Sequence, residues 1–149
     1  MELTMSIQDR VALTGRLSIS LNGKVVQEVN NLVVTAGKSW IASRMNAATA
    51  SVMTHMGVGT NSTAAVVGDT ALGTQLSTRS GLTTSGGTVA GAVITYACTY
   101  AAGSHTGAIT EAGVFNASSS GTMLCRTVFA VINKGAADTM TVSWAVTIS

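Results

Sequence analysis

Apolar and polar residues alternate along much of the chain, and the alternation is most regular over residues 139–148. One face of this segment is apolar and consists of Met140, Val142, Trp144, Val146 and Ile148. The opposite face carries only threonine, serine and alanine. A period of two residues is typical of a β-strand with one buried face. We therefore predict a strand with Trp144 in the core, together with Phe115 and Phe129.

Similar segments, separated by turn-forming residues, predict about eight strands in all. Asn22-Gly23 joins residues 10–21 to residues 24–29, and both turn residues tolerate the positive φ of a type I′ hairpin. Gly86-Gly87 predicts a second hairpin in the same way. Its two arms would be residues 82–85 and 88–100. The remaining strands are predicted at residues 52–58, 108–115, 123–132 and 139–148.

Only one segment has a convincing helical period. Trp40, Ile41, Arg44 and Met45 are spaced as on one face of a helix, which predicts a short amphipathic helix over residues 36–45. Asp69 is also a candidate cap for a single helical turn that carries Leu72 and Leu76.

These elements predict an all-β fold, an antiparallel jelly-roll-like β-sandwich of about eight strands with one short helix. Residues 11–149 would form a single β-sandwich domain. Residues 1–10 are polar and mixed in character, and we expect them to form an N-terminal arm that orders on a partner.

The composition favours association with other proteins over binding to nucleic acid or membrane. Only 9% of the residues are charged, while 22 threonines and 16 serines supply most of the polarity. Few charges would have to be desolvated at a contact. The eight lysines and arginines are scattered singly, so no nucleic-acid footprint is expected. The uncharged residues 80–110 are interrupted by glycine and threonine, so a membrane helix is not expected there either.

The sequence predicts no catalytic, cofactor or metal site. Gly37-Lys38-Ser39 resembles the end of a phosphate-binding loop, but Leu32 stands where the first glycine is needed. His55 and His105 have no ligand-type neighbours at metal-binding spacing, and His55 is expected to be a packed or edge histidine.

The two cysteines could form a disulfide, but a different state is expected. Cys98 and Cys125 lie in apolar strand-like segments, which favours buried free thiols.

Glu111 is the one residue that invites a functional interpretation. It lies in an apolar strand, where a lone carboxylate would be costly to bury. It could be an acid in a pocket, a structural partner of Arg126 on a neighbouring strand, or a solvent-facing residue. We favour a structural or solvent-facing role, because no second carboxylate lies nearby in sequence for acid–base catalysis.

Four segments occur in an order that resembles a known family. They are residues 31–45 (NLVVTAGKSWIASRM), 56–60 (MGVGT), 68–76 (GDTALGTQL) and 109–144. Together they resemble small virion structural proteins of tailed bacteriophages. Among these proteins the chain is most similar to capsid decoration, or cement, proteins with a jelly-roll fold. The first thirty residues contain no shared motif.

The resemblance implies a structural protein and not an enzyme. A decoration protein would bind the outer surface of the assembled head between major capsid protein subunits and stabilise the head against internal DNA pressure. Its expected location is the capsid surface of the virion, and its expected partners are the major capsid protein and itself, as a homodimer or homotrimer. The alternative is a phage tail or fibre structural component. A third possibility is an enzyme or ligand-binding module, which would need a cleft with convergent polar groups.

Overall fold

The computed structural model describes residues 10–46 and 50–149, in which nine strands and one helix are found. The predicted arm lies outside the described residues except for Arg10. In chain order the elements are β1 (Leu13–Leu21), β2 (Lys24–Val33), α1 (Thr35–Met45), β3 (His55–Gly59), β4 (Ser80–Gly81), β5 (Thr88–Ala90), β6 (Val93–Tyr100), β7 (Gly107–Phe115), β8 (Met123–Lys134) and β9 (Met140–Ile148).

All strand pairs in the described residues are antiparallel, and the strands join in one curled sheet in the order β4-β3-β7-β8-β2-β1-β9-β6-β5. The predicted all-β, antiparallel class with one short helix is confirmed. Only two residue pairs link β2 to β8, Leu32 with Arg126 and Val33 with Cys125. This narrow junction divides the sheet into a β1 half (β2, β1, β9, β6 and β5) and a β7 half (β4, β3, β7 and β8).

The two halves face each other across a shared core. Tyr100 of β6 donates its hydroxyl to the carbonyl of Met56 in β3, 3.0 Å away. Beyond the end of β4, the Thr83 N–H donates to the Ala97 carbonyl at 2.8 Å. These bonds connect opposite regions of the sheet order, so the curl brings the two halves together.

The buried residues confirm which face of the predicted strands points into the core. Trp144, Phe115 and Phe129 are all buried. Along β9 the side chains alternate between buried and half-buried from Met140 to Val146, as the period of two requires. The asparagine–glycine hairpin is also confirmed, because Asn22 and Gly23 have φ angles of 50° and 82° and connect paired strands.

Helix α1 begins one residue earlier than predicted and ends at Met45, as expected. Its contact with the sheet depends on Gly37, because a Cβ at this position would collide with the backbone of Leu124. Trp40 and Ile41 are half-buried against the core, but the expected amphipathic stripe is weak. The Trp40 indole N–H donates to the Ser51 carbonyl at 2.8 Å.

The predicted hairpin around Gly86-Gly87 is wrong. Residues 82–85 form no strand, and β5 pairs instead with β6 across Gly91-Ala92. Gly91 has a φ of 58° and supplies the turn. Gly86 and Gly87 also have positive φ, but they lie in a loop, with the Gly86 N–H bonded to the Met53 carbonyl. Gly91 lies five residues after Gly86 and also allows a turn. The hairpin therefore forms at Gly91 and not at Gly86-Gly87.

Candidate interaction site

The carboxylate of Glu111 is buried in β7 and surrounded by hydrogen-bond donors. Its Oε1 accepts from the backbone N–H groups of Asn61 at 3.3 Å and Thr74 at 2.7 Å. Its Oε2 accepts from the Gly73 N–H at 2.9 Å and from Nε of Arg126 at 2.9 Å, and Nη2 of the same guanidinium forms an ion pair with Oε2 at 2.8 Å. Four N–H groups thus donate to one carboxylate, about as many as its lone pairs can accept. The structural pairing with Arg126 considered from the sequence is present, and Glu111 is not solvent-facing.

Arg126 extends this network from the sheet to a long loop. Its Nη1 lies 2.8 Å from Oδ2 of Asp69, and its Nη2 donates to the Thr63 carbonyl at 3.1 Å. Burial alone would lower the pKa of Arg126, but the hydrogen bonds and charges of Asp69 and Glu111 raise it overall. Two carboxylates therefore share one guanidinium, which remains charged.

We call residues 60–79, which connect β3 to β4, the anchored loop. The first residues of the loop lie beside its later ones, because the Thr60 N–H donates to the Thr74 carbonyl at 2.9 Å. Later in the loop, the Leu76 N–H donates to the Val58 carbonyl in β3 at 2.8 Å. Near the tip, the Thr35 N–H at the start of α1 donates to the Val67 carbonyl at 2.8 Å. Backbone bonds to β3 and α1 thus reinforce the ionic network.

Asp69 does not cap a helical turn as predicted, because residues 68–76 contain no helix. Its Oδ2 instead accepts from the Val66 N–H at 2.9 Å and from Arg126. The buried guanidinium outcompetes a local cap, since a charge-assisted bond is stronger than one to a neutral N–H. Leu72 packs into a small buried cluster with Phe115, and Leu76 packs against the main core.

The tip of the anchored loop is apolar and exposed. Val66 and Val67 are 57% and 53% exposed, although the backbone on both sides of them is hydrogen-bonded to the rest of the protein. Adjacent exposed valines on a long, firmly bonded loop are a candidate contact surface, because a preorganised loop loses little conformational entropy on binding. We therefore regard this tip as the candidate interaction site.

Arg79 fixes the other end of the anchored loop. Its guanidinium carbon lies 3.4 Å from the centroid of the Phe115 ring. Its Nη1 donates to the carbonyls of Ala117 at 3.0 Å and Ser120 at 2.7 Å. Burial lowers the pKa of this guanidinium. A cation over an aromatic ring with two carbonyl acceptors holds the loop against the β7–β8 turn.

The remaining residues considered as candidates lie in structural positions. Gly37-Lys38-Ser39 falls within helix α1, not in a loop. His55 Nδ1 lies 2.7 Å from Oγ1 of Thr54, and His105 Nε2 lies 2.7 Å from the carbonyl of Thr78. In residues 10–46 and 50–149, no cluster of three or more histidine, cysteine, aspartate or glutamate side chains could hold a metal ion.

Both cysteines are buried free thiols, as expected. Burial raises the pKa of Cys98 and Cys125, and for Cys125 the shift is large. The Sγ of Cys98 lies 3.5 Å from the Gly81 carbonyl and so contacts the opposite half of the sheet. These thiols remain protonated in the folded protein at neutral pH.

A second buried cation, Lys134, was not predicted from the sequence. Its Nζ donates to the carbonyls of Ala101 at 3.0 Å and Ser104 at 2.8 Å, and the side chain is buried at the end of β8. Lys134 precedes a glycine, a local pattern that is typical of a turn and not of a buried residue. Its acceptors lie thirty or more residues away, so no local pattern could reveal them.

Comparison with known proteins adds no relative. No family model, no curated protein and no solved structure matches this chain. Within the part of the chain that the structure describes, no helix has both the length and the apolar character to cross a membrane.

Proposed function

We propose that the protein is a structural component of a bacteriophage head, a decoration or cement protein. It binds the outer surface of the assembled capsid between major capsid protein subunits, works as a homo-oligomer and helps the head to resist the pressure of packaged DNA. The proposed fold of this component is a jelly-roll-like β-sandwich, formed by the facing β1 and β7 halves of the curled sheet.

One observation carries this proposal. Three of the four segments that resemble phage virion proteins meet at the anchored loop. Asp69 comes from residues 68–76, whereas Glu111 and Arg126 come from residues 109–144. Thr35, which bonds the loop tip, comes from residues 31–45. The segments that carry the resemblance therefore contain the residues that hold the exposed apolar tip of the anchored loop in place.

The chemistry of the network supports a structural role. Glu111 has all its lone pairs engaged by protein donors, so it has none free for a substrate. The network instead connects the loop to β7 and β8. A network that holds a surface loop in one conformation suits a contact surface, because a preorganised loop loses little conformational entropy on binding.

The mode of binding follows from the small size of the tip. Two valines can supply only a modest contact, about 1.5–3 kcal/mol for each side chain when fully buried. A shell that carries many copies gains stability by mass action if each copy binds the assembled capsid but not its dissociated subunits. Sites formed between subunits exist only after assembly, so isolated coat subunits should bind weakly.

The proposal is tested by binding to heads and by copy number. Purified protein should co-sediment with assembled heads that lack it and should not co-purify with isolated coat subunits. Hundreds of copies per purified particle are expected. A handful of copies, found at the tail, would overturn the proposal in favour of the tail or fibre alternative.

A further inference from the structure

A second apolar surface lies at one end of the curled sheet, away from the anchored loop. It is a groove of about 430 Å³ between helix α1 and the ends of β1, β9, β6 and β5. Leu13, Trp40, Ile41, Val93 and Ile148 are among the residues that line it. Among the described lining residues, Arg44 is the only one with a charge.

The rim of this groove is unusually exposed for apolar residues. Met45 is 85% exposed and Val89 is 72% exposed, while Ile148 is partly exposed as well. These side chains come from α1, β5 and β9, which meet at the groove. A contiguous apolar patch built from several elements is typical of a surface that another polypeptide covers.

The start of β1 lies at the same end of the sheet. Ala12 and Ser149 exchange both backbone hydrogen bonds, at 2.6 and 2.9 Å, just beyond the pairing of Leu13 with Ile148. The chain is therefore still in antiparallel pairing at Ala12, and β2 no longer accompanies it, because the pairing of β1 with β2 ends at Gly15. Residues that precede Ala12 start from the rim of the groove.

Residues 1–10 are mixed in polarity as a whole, but within them residues 1–7 alternate in a way that matches the groove. Met1, Leu3, Met5 and Ile7 alternate with Glu2, Thr4 and Ser6, which is the pattern of a strand with one apolar face. Glu2 offers a negative charge to Arg44. The odd-numbered positions are also the inward positions of β1, such as Leu17 and Ile19, so the alternation continues the phase of that strand.

Reach allows the chain's own groove or that of another molecule, and direction favours the second. Seven extended residues span about 23 Å, whereas three strand spacings, from β1 to β5, measure about 14 Å. Residues 1–12 contain no glycine or asparagine, the residues that best tolerate the positive φ of a tight reversal towards the chain's own groove. An extended continuation of β1 would instead lead away from its own domain.

We propose that residues 1–7 of one copy occupy the apolar groove of a second copy. The apolar positions fill the groove beside Trp40 and Ile41, and Glu2 lies near Arg44. This exchange supplies the contact by which copies associate. It concerns the purified protein alone, so its failure would leave the proposed binding to capsids untouched.

The test compares two triple variants that carry the same added charge. Leu3→Asp, Met5→Asp and Ile7→Asp change the apolar face, whereas Thr4→Asp, Ser6→Asp and Gln8→Asp change the polar face. In analytical ultracentrifugation the first variant should associate at least tenfold more weakly than the unaltered chain, and the second within threefold of it. Circular dichroism confirms that both are folded. Equal association of both variants with the unaltered chain would overturn the proposal.

A cross-link identifies the occupant of the groove. The double variant Met5→Cys with Ala92→Cys places one thiol in the N-terminal segment and one at the groove. Cys98 and Cys125 stay buried. Oxidation should give a disulfide between two chains, seen as a dimer on a non-reducing gel. A disulfide within one chain would show that the segment covers its own groove, and no disulfide would show that it binds elsewhere. Either result overturns the exchange.

Discussion

Arg126 binds Glu111 through two nitrogens that converge on one carboxylate oxygen, with Nε 2.9 Å and Nη2 2.8 Å from Oε2. The two side chains are only 4% and 0% exposed. They lie on neighbouring strands, where Glu111 pairs with Val128 and Arg126 pairs with Gly113. The third nitrogen, Nη1, binds Asp69, so the pair joins the sheet to the anchored loop.

Removal of either partner should strongly destabilise the protein. Arg126→Met leaves Glu111 buried without its cation, and the loss of one member of a buried pair costs about 3–5 kcal/mol. Urea unfolding measures the change in the free energy of unfolding. Arg16→Met is the matched control, because the Arg16–Glu28 pair is exposed and should contribute less than about 1 kcal/mol. Similar losses for both variants would mean that the buried network has no special role in stability.

Gly59→Ala should loosen the anchored loop. A Cβ at Gly59 would collide with the Thr74 carbonyl and with Oε1 of Glu111, so the network would have to shift. We expect a loss of about 1–3 kcal/mol, as for other overpacked sites. Gly68→Ala is the control in the same loop, since a Cβ there meets nothing within 4 Å. Proteolysis of the native protein should cut the loop faster in Gly59→Ala only. Equal rates in both variants would contradict the proposed anchoring.

The buried thiols predict a loss of stability at alkaline pH. Burial raises the pKa of Cys125 in the folded protein, whereas the unfolded thiol titrates near 8.5. The folded state therefore keeps a proton that the unfolded state releases. Stability is fully present below about pH 8.5 and falls as the pH rises, by up to about 1.4 kcal/mol per unit for this thiol.

Urea unfolding in reducing buffer between pH 7.5 and 9.5 measures this slope. Over that range most tyrosines of the unfolded chain are still protonated. Cys125→Ala should have a shallower slope than the unaltered protein, whatever its stability at pH 7.5. Identical slopes would show that Cys125 ionises as readily in the folded protein as in the unfolded one.

Trp144 provides a test of the core. The side chain is fully buried, and its indole nitrogen has no hydrogen-bond partner among the residues that the structure describes. Trp144→Ala should cost about 3–5 kcal/mol, as large-to-small core substitutions do. Trp144→Phe should cost clearly less, because it keeps most of the apolar volume and removes an unpaired donor. A loss below about 1 kcal/mol for Trp144→Ala in a denaturant melt would contradict the burial of this residue.

Local pattern predicted most of the strands, because alternation and turn chemistry are properties of neighbouring residues. It identified β9 to within one residue and placed the Asn22-Gly23 turn correctly, although β1 begins three residues later and β2 ends four residues later than predicted. It failed at Gly86-Gly87, where pairing with β6 depends on residues beyond the turn.

Only part of the candidate site could be predicted from the sequence. The Glu111–Arg126 pair was considered because a carboxylate in an apolar strand needs a partner. Local pattern predicts a helix cap at Asp69 instead, because the hydrogen-bond partner of Asp69, Arg126, is 57 residues away. Nothing in the local sequence marks Val66-Val67 as an exposed tip. Its significance depends on bonds to Thr35 and Arg126, which only the fold brings together.

The temperature at which full heads release DNA tests the central claim most directly. Heads depleted of the protein are compared before and after addition of the unaltered chain, of Val66→Asp with Val67→Asp, or of Val25→Asp with Val26→Asp. The last variant is the control, because it places the same charges on another exposed valine pair.

Depleted heads should release DNA at a lower temperature than complete heads. The unaltered chain and the β2 control should restore the higher temperature, whereas the loop variant should not. Equal release temperatures for depleted and complete heads, together with a failure of the depleted particles to adsorb to cells, would contradict the account and identify a tail component.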